Sequence, residues 1–78
     1  MVTAYVLAKV EAGKDEIVLK EVKKLPGICS AVPTYGHYDL HVEVSFPTTE
    51  NLDEFVFAKL RTIEGIKETI TLITFKGR

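Results

Sequence analysis

Residues 38–46 read YDLHVEVSF, and their alternation decides the fold. Tyr38, Leu40, Val42, Val44 and Phe46 point one way and Asp39, His41, Glu43 and Ser45 the other, so a pleated strand here carries one apolar and one polar face. The apolar face belongs to a core. Upstream, GICSAVPTY at 27–35 is a second strand, and Pro33, with no N–H for a ladder, places it at a sheet edge or a bulge. VTAYVLAKV at 2–10 is a further strand, with Val2, Ala4, Val6, Ala8 and Val10 on one face and Thr3, Tyr5, Leu7 and Lys9 on the other.

Between these strands the period changes. In KDEIVLKEVKKL, Val18, Val22 and Leu25 recur at helical spacing, with Asp15 and Glu16 in the first turn and Lys23 and Lys24 in the last, the charge order a helix dipole favours. Pro26-Gly27 ends this helix. After Pro47, with Thr48, Thr49 or Asn51 as cap, Leu52, Phe55, Val56, Leu60 and Ile63 form a second apolar stripe that Gly65 terminates. The final strand, GIKETITLITF, sets Thr69, Thr71, Ile73 and Phe75 against Ile70, Leu72 and Thr74. LPGI at 25–28 and IEGI at 63–66 mark the same helix-to-strand joint, an internal repeat. The predicted fold is α+β, a ferredoxin-like βαββαβ sandwich: a four-stranded antiparallel sheet with two helices on one face.

Two helices leave the other face bare. Tyr5, Leu7, Ile73, Phe75, Thr69 and Thr71 are assigned to it, a surface too apolar for water, so it is expected to pack on a second copy as an isologous dimer, a dimeric α/β barrel. Phe57, off the helical stripe, is a second candidate contact.

Composition excludes several classes. The 78 residues are 46% hydrophobic and 27% charged, an ordinary globular mix that makes a single domain over 1–78. A net charge of −1 lacks the basic footprint of direct nucleic-acid binding. No apolar run is long enough to span a bilayer and the first residues lack a signal-peptide pattern, so no membrane partner and a cytoplasmic location are expected. The single cysteine, Cys29, forms no internal disulfide and is expected to be a small buried residue. No zinc-type spacing, P-loop, dinucleotide fingerprint or nucleophile motif is present, so no metal, cofactor or catalytic group is assigned.

What remains is the turn YGHYD at 35–39. Asp39, His41 and Glu43 share a strand face, which is ordinarily a polar surface rather than a metal row. Gly36 lets a ligand approach backbone N–H groups, Asp39 can accept from an ammonium, Thr69, Thr71 and Thr74 offer hydroxyls, and Tyr35 and Tyr38 can form walls. Those are the parts needed to hold a zwitterionic amino acid.

The stretches YVLAKVEAGKDEIVLKEVKKLPGICSAVPTYGHYDLHVEV and LDEFVFAKLRTIEGIKETITLITFK, with the G-x-YDL turn and the I-x-G-I…T-x-T ending, resemble the C-terminal effector-binding and oligomerisation (RAM) module of Lrp/AsnC, or feast/famine, transcriptional regulators. The resemblance covers essentially the whole chain. It implies the ferredoxin-like fold, dimers joined through their sheets, assembly into a ring, commonly of eight subunits, and amino acid effectors bound between dimers near this turn. Carried over by position, Tyr35, Gly36, His37, Tyr38 and Asp39 with Thr69, Thr71 and Thr74 are the expected ligand-binding residues, Asp39 taking the amine. The helix-turn-helix domain that precedes the module in full-length members is not in this sequence, so the chain is either a fragment or a stand-alone module; Met1 beside Val2 favours the stand-alone form, which is expected to sense amino acids and co-assemble with full-length regulators. The alternative is a small dimeric α+β barrel enzyme of monooxygenase or haem-handling type, with His37 or His41 catalytic or a haem ligand.

Overall fold

The computed structural model describes residues 1–74. Phe75, assigned above to the bare sheet face, lies outside them. The order is β1 (Val2–Val10), α1 (Asp15–Lys23), β2 (Ile28–Pro33), β3 (Leu40–Phe46), α2 (Thr49–Glu54) running into a π-helical stretch Phe55–Leu60, and β4 (Ile66–Ile73). The strands form one sheet in the order β2-β3-β1-β4, every neighbouring pair antiparallel, which is the ferredoxin-like arrangement.

The alternation of β1 and β3 builds the core directly. Val6 pairs with Val42 and Ala4 with Val44, and all four are wholly buried, as antiparallel partners share a face. Val18 and Val22 of α1, Leu52 of α2, and Phe55 and Leu60 close over them. Removing each such valine or leucine from water contributes about 1.5–3 kcal/mol.

Thr48 is the cap selected among the three candidates: its backbone is extended and its hydroxyl accepts the Asn51 N–H at 3.1 Å. The sequence predicts one regular helix after it, whereas the chain widens at Phe55, and Arg61 N–H donates to the Val56 carbonyl, five residues back, at 2.9 Å. Phe55 and Leu60 are five apart. An α-helix turns such positions to different faces, and the wider turn buries both. Phe57 is exposed as expected, with the Arg61 guanidinium 5.1 Å from its ring centre.

The repeated joints hold glycine for a packing reason. At Gly65, φ is +106° and a Cβ would come within 2.8 Å of the Val18 side chain; at Gly27 it would overlap the Phe46 ring. Gly65 also accepts the Glu11 N–H at 2.8 Å, tying the end of β1 to the start of β4.

Three expectations are corrected. β3 begins at Leu40, so Tyr38 and Asp39 belong to the preceding turn, whose own hydrogen bonds replace the ladder there. Cys29 is exposed rather than buried: pairing shifts between Ile28 and Ser30 on the edge strand β2, and the displaced thiol lies 3.5 Å from the Ser45 hydroxyl on the bare face. The bare face itself is composed differently from the assignment above. Thr71 pairs with Val6 and Thr69 with Ala8, which puts both threonines, and Ile73 opposite Ala4, on the covered side. Ile70 and Leu72, opposite Leu7 and Tyr5, are the outward residues, and Leu72 is 51% exposed. The cause is an irregularity: Lys9 pairs with Glu68 but Val10 with Ile66, so Lys67 is an extra residue that reverses the phase of everything beyond it.

Candidate functional site

The end of the sheet where β1 stops, α1 starts, β2 stops and β3 starts carries the turn 34–39. It is closed on itself by two bonds: Thr34 N–H donates to the Asp39 carbonyl at 2.9 Å and the Thr34 hydroxyl to the Tyr38 carbonyl at 2.8 Å. Two more pin it to β1, with Asp39 N–H donating to the Ala8 carbonyl at 2.9 Å and the Asp39 carboxylate Oδ2 accepting the Val10 N–H at 2.9 Å. The Asp39 side chain thus continues the β1–β3 pairing one step past the strand end, and only one of its two oxygens is committed. Gly36 sits at φ +113° with open space where a Cβ would be, so backbone conformation and not crowding requires glycine there. The N–H groups of Tyr35, Gly36, His37 and Tyr38 donate to no other described residue.

Beside this turn lies an open cleft of about 420 Å³, lined by Asp15, Pro33, Thr34, Tyr35, Gly36 and Asp39. A volume of this order accommodates a small metabolite. Of the residues singled out from the sequence, Tyr35, Gly36 and Asp39 line it. His37 is exposed outside the cleft, and Tyr38 turns its ring toward the Lys9 ammonium, 5.7 Å from the ring centre. The threonines do not converge on it within one chain. Thr69 is level with Ala8, near the turn but across β1 from it, and Thr71 is mid-strand. Thr74 is at the opposite end of the sheet, its hydroxyl donating to the Thr3 carbonyl at 2.9 Å, roughly 17 Å along β1 from Ala8 at the usual strand rise.

Asp15 lines the cleft and was read from the sequence only as a helix-dipole acid. Topology held the missing signal, since the β1–α1 and β2–β3 connections necessarily meet at one end of this fold. His41 is distant in function from the turn: it lies on the bare face beside Tyr5, ring centres 5.5 Å apart in an edge-on arrangement. Neither His37 nor His41 lines the cleft beside the turn. Among the described residues no group of three or more His, Cys, Asp or Glu is placed to hold a metal, and no helix is long and apolar enough to cross a membrane.

A second open cleft, between α1 and residues 62–64, has Lys14 at its rim between Glu11 at 3.7 Å and Glu64 at 3.5 Å. Such exposed pairs contribute little to stability or recognition.

Comparison with known proteins gives a consistent result. The model of the Lrp/AsnC ligand binding domain matches residues 3–77. The HTH-type transcriptional regulator FL11 of Pyrococcus furiosus is 35% identical over 75 residues, 96% of this chain and 49% of that protein. The chain spans about half the length of the curated relatives it matches. Among solved structures, FFRP-DM1 superposes with a TM-score of 0.92 at 37% identity, covering 96% of this chain and all of that one. A transcriptional regulator from Neisseria meningitidis, solved in complex with L-Met, shares the fold with a TM-score of 0.87 at 21% identity, over 96% of this chain and 50% of that one.

Proposed function

The chain belongs to the Lrp/AsnC ligand-binding family, and from that membership we propose that it senses a free amino acid in the cleft beside the 34–39 turn and passes occupancy on through assembly. The observation that carries this reading is the pairing, in one cleft, of an uncommitted Asp39 carboxylate oxygen with a glycine turn whose N–H groups from Tyr35 to Tyr38 have no partner among the described residues. The acid receives the effector's ammonium. The turn amides receive its carboxylate, as successive N–H groups do in anion-binding turns. Tyr35 forms a wall, and His37 and Tyr38 flank it.

Tyr35 is fully exposed in the single chain, and the cleft is open on its outer side. A neighbouring subunit completes it; of the threonines carried over by position, Thr69, at this end of the sheet, is the one able to contribute from that neighbour, since Thr74 lies about 17 Å further along. Association begins at the bare sheet face, where Tyr5, Leu7, Val32, Ile70 and Leu72 are too apolar to face water, and an isologous sheet-to-sheet dimer buries them. Dimers then join near the turns into a larger ring. The curated relatives are named as transcriptional regulators, and this module acts by co-assembly with regulators of the same family, without chemistry of its own; its net charge of −1 gives these 78 residues no footprint for reading DNA.

Calorimetric titration with the twenty amino acids, paired with light scattering, tests this. The informative variant is Asp39→Asn, because the amide keeps an oxygen for the Val10 N–H while losing the charge. At least one amino acid is expected to bind and shift the assembly state, with affinity falling about tenfold or more in the variant while the melting temperature holds. Absence of amino acid binding, or equal binding by the variant, overturns the proposal.

A further inference from the structure

We infer that the effector carries a second positive charge on its side chain, so that the cleft selects basic amino acids; this rests on the effector reading above and names the class of ligand for that same cleft. Two of the six lining residues are carboxylates, Asp39 from the turn and Asp15 from the first turn of α1, and no lining residue is cationic. Asp15 pairs with no cation among the described residues. Of the lysines nearest Asp15 in sequence, Lys14 lies between Glu11 and Glu64, Lys20 forms no ion pair with it, and Lys9 sits over the Tyr38 ring.

An amino acid held by its ammonium on Asp39 and its carboxylate on the turn amides leaves its side chain to meet the rest of the lining. That lining is Pro33, Thr34, Tyr35 and Asp15. An apolar stem against proline and tyrosine ending in a cation at Asp15 satisfies each surface in turn. A neutral side chain brings no counter-charge to a carboxylate that the ligand and a neighbouring subunit together desolvate, and an acidic one adds repulsion. A diamine meets both acids but offers nothing to the amides.

Titration of the intact protein with lysine, arginine, norleucine and cadaverine decides the matter. Norleucine has nearly the lysine stem without its charge, and cadaverine is lysine without its carboxylate. Lysine or arginine is expected to bind about fivefold or more tighter than norleucine, and tighter than cadaverine. Asp15→Asn should bring lysine down to the norleucine level while leaving norleucine unchanged, and Asp15→Glu should restore the preference. Norleucine binding as tightly as lysine, a preference that survives Asp15→Asn, or tighter binding of cadaverine overturns this inference and leaves the effector cleft standing. Failure of every amino acid to bind overturns both.

Discussion

The two faces of the sheet come from the same four strands and differ in kind. The covered face is uniform at its centre: Ala4, Val6 and Ala8 of β1 and Leu40, Val42 and Val44 of β3 are small or medium aliphatics, all buried within one chain, and only at the edge strand β4 do the half-buried Thr69 and Thr71 join them. The bare face mixes large apolar groups, Tyr5, Leu7, Val32, Ile70 and Leu72, with His41, Glu43, Ser45, Lys9 and Glu68. The first pattern is that of an interior assembled during folding, when close packing and absence of polar atoms decide stability. The second resembles the core and rim of an association surface, which must tolerate water until a partner arrives. Folding thus belongs to one side of the layer, and the assembly proposed above to the other.

The largest expected effect lies on the covered side. Leu60→Ala removes a wholly buried side chain from the π-helical stretch and should lower stability by about 2–5 kcal/mol, measured by denaturant unfolding. A loss below about 1 kcal/mol breaks the comparison, because the covered face would then be tolerating cavities. On the bare side, Leu72→Lys should leave the circular dichroism of the folded chain unchanged and weaken self-association about thirtyfold or more, visible as a shift to monomer in light scattering. Unfolding by that substitution would mean that the two faces do not divide the work. The smallest effect tests neither face: Thr48→Ala deletes only the cap bond to Asn51 and should cost about 1 kcal/mol in unfolding while leaving association as it was.

How much was legible follows from what each residue's neighbours could reveal. The faces of β1 and β3 read correctly because their alternation is regular, small aliphatics against larger or polar side chains in β1 and aliphatics against polar groups in β3. β4 did not, because TITLI sets Thr69 and Thr71 against Ile70 and Leu72, a contrast that points the apolar pair at the core and that the actual register reverses. Counting by twos from the half-buried Ile66 would bury Ile70 and Leu72; the extra residue Lys67 turns them outward, and only its pairing with β1 exposes that bulge. Cys29 was misplaced for the same kind of reason, a pairing shift on an edge strand that local sequence does not announce. The candidate site shows both outcomes. Gly36 and Asp39 were legible because their chemistry is local to a turn. Asp15 was not, since its first-turn position already had a sufficient explanation in the helix dipole.

The sequence by itself determined the element order, the covered core and the turn with its acid, because these depend on periodicity, breakers and caps within a few residues of one another. Only the tertiary structure decided which face of β4 looks outward, that Thr74 stands at the far end of the sheet from the turn, and that Asp15 and Asp39 line one cleft. Those facts depend on strand register and on which connections share an end of the sheet, quantities that the backbone pairing sets and that no single stretch of the chain contains.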